Sequence, residues 1–179
     1  MIKGLILYEL SFNLLYGNTE DYKMRIAVVS DTHYNTNVLD NILSEVKDFD
    51  MIFHLGDNVK DALYLAKNFH GEVHYVKGNC DIGVAAPDDK IVEVEGKRFF
   101  LTHGHNYGVK YNLNNLYFKA RELDVDVALY GHSHIKQIER VENLDIMNPG
   151  SASLPRDGSR SIGLIEIKND NINIKIRNL

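Results

Sequence analysis

The chain has 179 residues, 44% hydrophobic and 25% charged, the makeup of one globular domain large enough to bury a core without cross-links. A formal net charge of −5 argues against a general nucleic-acid or anionic-membrane binder, which normally shows a basic surface. It leaves room for a small phosphorylated substrate, because bound divalent cations reverse the field inside a pocket.

The first 23 residues stand apart. Gly4-Leu5-Ile6-Leu7-Tyr8 resembles the start of a signal-peptide core, but Glu9 and Asn13 interrupt it, only Lys3 is basic ahead of it, and no small-x-small cleavage pattern follows. Two readings of this N-terminal extension stay open, a start-site artefact with a fresh start at Met24 or an appended helix. Residues 24–179 read as a single domain. Nowhere does the chain offer about 18 uninterrupted apolar residues, so no membrane span is expected. Cys80, the single cysteine, has no intrachain partner, which makes a reducing cytoplasm the expected location.

From Met24 onward strands and helices alternate. The run Ile26–Ser30 reads as a strand, Asn37–Phe49 as a helix with Leu39, Ile42, Leu43 and Val46 on one stripe, and Met51–Leu55 as a second strand. A second helix over Val59–Phe69 aligns Ala62, Leu63, Ala66 and Phe69, and a third strand covers Val73–Lys77. This order implies parallel pairing at the front of an α/β domain. A loop through Ala85-Ala86-Pro87 leads to two strands joined at Glu95-Gly96, a hairpin signal. A third helix follows Asn112, with Leu113, Leu116, Tyr117, Ala120 and Leu123 on its stripe, and Val125–Tyr130 reads as a further strand. The tail becomes hairpin-rich, with Gln137–Val141 and Leu144–Met147 flanking one turn and Ile162–Ile167 and Ile172–Ile176 flanking another. Ile172, Ile174 and Ile176 alternate with polar residues, as in an antiparallel strand with one buried face.

Five of these apolar runs end in residues that bind metal. They run into Asp31-Thr32-His33, Gly56-Asp57, Gly78-Asn79, His103-Gly104-His105 and Gly131-His132-Ser133-His134. Functional groups of α/β sheets collect beyond the carboxyl ends of strands, so these segments can share one pocket. In extended backbone, residues two apart point to one side, so Asp31 with His33 and His132 with His134 are each expected to chelate as a pair. Glycine before Asp57, Asn79 and His132 permits close backbone approach. Mixed imidazole and oxygen ligands suit Mn, Fe, Co, Ni or Zn rather than Ca or Mg, and the lack of a thiolate cluster argues against structural zinc. Two such ions about 3.5–4 Å apart, joined by a carboxylate, form a device for hydrolysing phosphate esters with a bridging hydroxide.

The ordered set Asp31-x-His33, Gly56-Asp57, Gly78-Asn79, His103 and Gly131-His132-x-His134 resembles the calcineurin-like metallophosphoesterases. Gly78-Asn79-Cys80-Asp81, Thr102-His103-Gly104-His105 and Asn148-Pro149-Gly150-Ser151 are similar to the small YfcE-like phosphodiesterases within them. The resemblance covers Met24 to the C-terminus. It implies a four-layer αββα sandwich, two mixed β-sheets flanked by helices, and two divalent transition-metal ions, with Mn preferred. It further implies that Asp31, His33 and His134 hold one ion, that Asn79, His103 and His132 hold the other, and that Asp57 bridges. Asn79 is also expected to touch the substrate phosphate. Many relatives carry histidine directly after Gly-Asn as the leaving-group acid; Cys80 stands there, a poorer acid–base group. Asp81 could replace it only with a raised pKa, and substrates with good leaving groups or slow turnover would follow.

Among the remaining residues, His105 and Arg156 are the candidates for substrate contact. His54 reads as a hydrogen-bonded core residue or a support behind the ligands rather than a ligand itself, His70 and His74 as surface residues, Cys80 as packing, and Asn148–Ser151 as a loop that shapes the pocket. Lys110, Lys119 and Arg121 read as a solvated helix face. The expected function is hydrolysis of a small phosphodiester, with no stable nucleic-acid or membrane partner and homo-oligomerisation left open. The alternatives are a non-catalytic protein-binding scaffold of the same fold, as in a eukaryotic retromer subunit, and a nuclease.

Overall fold

The apolar runs carry no polar alternation because both faces of their strands are covered. In β1 (Met24–Val29), Ile26 and Val28 point into a core between two sheets, while Ala27 and Val29 point the other way, under helices. The same two-residue period divides β5 (Lys97–Thr102), where Phe99 and Leu101 face the inter-sheet core and Phe100 faces outward. The computed structural model describes residues 23–179, so both readings of the N-terminal extension concern residues that, apart from Lys23, lie outside the described ones.

Two mixed five-stranded sheets stack face to face. The first has the order β10-β9-β1-β2-β3, with β2 (Met51–His54) and β3 (Glu72–Tyr75) parallel to β1, β9 (Ser161–Lys168) antiparallel to β1, and β10 (Asn171–Asn178) antiparallel to β9. The second has the order β4-β5-β6-β8-β7, built from β4 (Asp89–Val94), β5, β6 (Val127–Leu129), β7 (Lys136–Val141) and β8 (Leu144–Pro149). Its centre, β5-β6-β8, is parallel, and its edges are antiparallel. The Glu95-Gly96 turn that joins β4 to β5 has φ of 50° and 69°, the mirror-image turn that matches strand twist.

Helices α1 (Thr36–Glu45) and α2 (Val59–Asn68) cover the outer face of the first sheet through Val38, Leu39, Ile42 and Leu65. Helix α3 (Asn114–Glu122) covers the second through Leu116 and Ala120. The result is the expected four-layer αββα sandwich. Helix α1 stops at Glu45, short of the expected Phe49, because the chain turns after Val46 to place Phe49 in the core. The last hairpin returns to pair with β1 rather than extending the second sheet, and this closes the first sheet beside the strand that ends at the candidate site. No helix among the described residues is long and apolar enough to cross a membrane.

Candidate metal centre

Beyond the ends of β1, β2, β5 and β6 the backbone bends sharply. Asp31, His33, Asp57, His132 and His134 have φ of 55°, 47°, 48°, 67° and 60°, a left-handed conformation that costs about 1–3 kcal/mol for a non-glycine residue and persists only where surrounding contacts enforce it. This corrects the expectation that the Asp31/His33 and His132/His134 pairs chelate from extended backbone. The strand ladders stop at Val29 and Leu129, and past them no neighbour holds the chain extended. Instead the turns grip each other: Asp31 N–H donates to Gly56 O at 3.2 Å, Thr32 N–H to Asp57 O at 3.2 Å and Gly131 N–H to His103 O at 3.1 Å. His132 N–H donates to Asp31 Oδ2 at 3.1 Å. Two glycines are required by space alone. A Cβ on Gly78 would overlap the Asp57 carboxylate, and one on Gly131 would overlap the Ser30 hydroxyl.

These turns aim side chains into two adjoining nests. In the first, His134 Nε2 lies 3.0 Å and His33 Nε2 3.9 Å from Asp31 Oδ1, and the two imidazole nitrogens are 3.4 Å apart. In the second, His103 Nε2 lies 3.4 Å from Asp57 Oδ2, with Asp31 close enough to share a bound ion. His132 stands beside the second nest, its ring 5.0 Å from that of His103, so His132 and His134 face different nests. Asn79 is exposed on the loop after β3 and donates from Nδ2 to Cys80 Sγ at 3.5 Å.

The chemistry of these atoms fits a divalent cation. His103 Nδ1 donates to Leu55 O and His134 Nδ1 to Leu154 O, each at 2.7 Å, and a carbonyl can only accept. In the neutral imidazoles the Nδ1 protons are therefore committed, and each Nε2 turns a lone pair inward, the tautomer metal-binding histidines use. Asp31 Oδ1 and His103 Nε2 are buried with no hydrogen-bond partner, although carboxylate and imidazole atoms lie within 3–4 Å. Carboxylates and imidazoles favour each other's charged forms. Burial would raise the Asp31 and Asp57 carboxyls, yet His134 and His103 outweigh it and hold both below the usual range. Burial would lower His103, but the two carboxylates hold it up; contact with Asp31 raises His134. His132, without such a partner, is pushed by burial down to about 4.

The other expected residues divide. His105 sits on a 3₁₀ turn (His105–Tyr107), its ring 5.5 Å from His103 and its Nδ1 unpartnered. Arg156 is exposed, and its backbone N–H donates to His134 O at 3.0 Å. Asp81 does not point at the nests as an acid would. Its carboxylate accepts N–H bonds from Asp57, Val59 and Gly78 at 3.2, 2.7 and 2.8 Å and so staples two ligand loops together. Cys80 is exposed rather than packed, and its backbone N–H donates to Asp57 Oδ1 at 2.9 Å. Although the residue as a whole is exposed, partial desolvation of its thiol, then the thiol's hydrogen bond with Asp57, push it up to about 11. His74 is not bare surface: it contacts Glu72 at 3.0 Å and Lys90 at 3.1 Å.

A supporting shell surrounds the nests, with His54 in the hydrogen-bonded core place expected of it. His54 is fully buried and accepts Gly56 N–H at Nδ1, which leaves Nε2–H to donate to Thr32 Oγ1 at 3.1 Å; Thr32 in turn donates to Asp61 Oδ2 at 2.6 Å. Burial lowers His54 to about 4. An unfolded histidine takes up a proton near pH 6.5, so this residue makes the fold lose stability as pH falls from about 6.5 towards 4. Thr32→Val, which strands both partners, is expected to cost about 1–3 kcal/mol in denaturant unfolding of the metal-free protein; an unchanged midpoint would count against the relay. Ser151 and Ser153 donate to Asp31 O, and Asn148 Nδ2 donates to Gly131 O and Ser133 Oγ, so the Asn148–Ser151 loop shapes the site as expected. Thr32, Asp61 and Ser153 are the members of this shell that sequence reading missed, and only the place of Thr32 between Asp31 and His33 offered a signal for them.

Similarity to known proteins agrees with the geometry. The family model for the calcineurin-like phosphoesterase superfamily domain matches residues 24–170. The chain is 32% identical over 149 residues to Probable metallophosphoesterase YsnB of Bacillus subtilis, covering 82% of this chain and 86% of that one. A Streptococcus pneumoniae protein described as a predicted phosphoesterase has a structure that matches with a TM-score of 0.75 at 26% identity, covering 88% of this chain and 90% of that one. The structure of an archaeal phosphodiesterase shares the fold at a TM-score of 0.70 and 23% identity, covering 86% of this chain and 100% of that one. The chain belongs to the calcineurin-like phosphoesterase superfamily.

Proposed function

From that membership we propose that residues 24–179 form a dinuclear metal-dependent phosphoesterase acting on small phosphodiesters in a reducing cytoplasm. The observation that carries it is the meeting of two nests at Asp31 and Asp57, each lined by an inward-facing Nε2 and lacking enough hydrogen bonds for its buried atoms. Asp31, His33 and His134 would hold one ion, and Asn79, His103 and His132 the other, with Asp57 shared; manganese is the first metal to test. When bound, such ions supply Lewis-acid charge and an activated water near neutral pH.

The chain's own residues do the rest. Leu55 O and Leu154 O lock the tautomers of His103 and His134, and Asp81 fixes the spacing of the Asp57 and Asn79 loops. The exposed Asn79 amide is free to donate to a phosphate oxygen. The His105 ring and the Arg156 guanidinium are the further candidates for substrate contact. Neither Cys80, with its thiol pushed up to about 11, nor Asp81, with its oxygens committed to backbone, is placed to protonate a leaving group efficiently. Esters with good leaving groups are therefore the favoured substrates.

The test is a screen of phosphomonoesters, phosphodiesters, cyclic nucleotides and single-stranded nucleic acid against metal-reconstituted and chelator-stripped protein. Metal-dependent turnover concentrated in small diesters is expected. Metal binding without turnover of any ester would instead leave the chain a scaffold, and preferential cleavage of the nucleic acid would make it a nuclease.

A further inference from the structure

Lys110 does not belong to the solvated helix face with Lys119 and Arg121. Those two lie on α3 and pair with Glu122 and Glu142, whereas Lys110 precedes the helix, in the loop after the 3₁₀ turn. There it lines a groove of about 590 Å³, walled by Val109, Lys110 and Tyr111 on one segment and by Ser133, Ile135 and Arg156 on others. The groove runs beside the metal centre: of its lining residues, Ser133 lies between His132 and His134 in the chain, and Arg156 N–H is tied to the His134 carbonyl at 3.0 Å. The Lys110 charge is felt at His132 and the Arg156 charge at His134. Among the described residues neither cation has an ion-pair partner, in a chain whose net charge is −5. Glu139 is the only acid among the described residues lining the groove, and it is engaged by Gln137 Nε2 at 2.5 Å.

Among the described residues neither the Lys110 ammonium nor the Arg156 guanidinium makes a hydrogen bond or ion pair, so both charges are available to an anion beside the site. Resting on the phosphoesterase reading, we propose that this groove takes the second arm of the diester and that Lys110 and Arg156 select arms carrying an additional anionic group, a carboxylate or a further phosphate. The apolar flank of Val109, Tyr111 and Ile135 suits a flat ring between that anion and the scissile phosphate. The substrate class is thus a phosphodiester with a second, remote negative charge, not a dialkyl or diaryl phosphodiester whose arms are uncharged.

A matched pair tests this: p-nitrophenyl phenyl phosphate and p-nitrophenyl 4-carboxyphenyl phosphate, which share a leaving group and differ by one remote carboxylate. The metal-reconstituted wild-type protein is expected to favour the carboxylated ester about tenfold in kcat/KM at low salt, through KM, with the preference fading as salt screens it. In Lys110→Ala/Arg156→Ala the ratio of the two substrates should collapse to about one. Calorimetric binding of 4-carboxyphenyl phosphate against phenyl phosphate gives the same comparison without turnover. Equal binding of the two by wild type, or a preference that survives in the double variant, overturns the proposal. A binding preference with no hydrolysis of either ester upholds the groove and overturns the phosphoesterase reading instead.

Discussion

Asp57→Asn is expected to abolish metal-dependent hydrolysis of an aryl phosphodiester, with a fall on the order of 10³-fold or more, comparable to the loss of a principal electrostatic group in other active sites. Asparagine keeps the shape of the side chain and an oxygen to accept Cys80 N–H, now at 2.9 Å, so the loop has no reason to rearrange. What disappears is the negative charge that both nests share beside His103, 3.4 Å away. The metal-free variant should therefore melt within a few degrees of the metal-free wild type. The two should part on adding Mn²⁺: a ligand at a hundred times its Kd stabilises a fold by about 2.7 kcal/mol. For a domain of this size that is roughly 5–10 °C in Tm, most of which the variant should lose. Full activity in Asp57→Asn, or an undiminished response to metal, would refute the shared-carboxylate arrangement.

The second large effect belongs to a residue with no side chain. Gly78→Ala would place a methyl group against the Asp57 carboxylate and within 2.6 Å of Asp57 N. Neither obstacle can swing aside, because Asp57 N–H is held by Asp81 and the Asp57 side chain by Cys80 N–H and its His103 contact. Overpacking of this kind costs about 1–3 kcal/mol, and here the displaced groups are the ones at the centre of the site. Activity should fall by orders of magnitude while Tm falls by only about 2–12 °C. Thermal melts and circular dichroism separate that outcome from general unfolding. Wild-type turnover in this variant would mean that the loops after β2 and β3 are not in contact as described.

Much of this was legible in the residues. Uninterrupted apolar runs such as Ile26–Val29 announced strands covered on both faces, and the polar residues at their ends announced a shared pocket. The hairpin at Glu95-Gly96 and the stripe of α3 could be placed because turn chemistry and helical period are local properties. The errors were local ones too. Extended backbone was assumed through Asp31-x-His33, where interlocking turns impose left-handed conformations, and Lys110 was assigned to a helix that begins only at Asn114.

The amino-acid sequence by itself therefore determined which segments are strands, which residues are candidates to hold metal, and the superfamily. Tertiary structure alone decided that β9 and β10 return to β1, that Leu55 O and Leu154 O set the histidine tautomers, that Asp81 serves the loop rather than the chemistry, and that two free cations flank the site. The reason is physical. Periodicity and composition act within a few residues, whereas strand partners, main-chain carbonyls and the fields of distant charges act only once the chain has closed, and a carbonyl is the same whichever residue carries it.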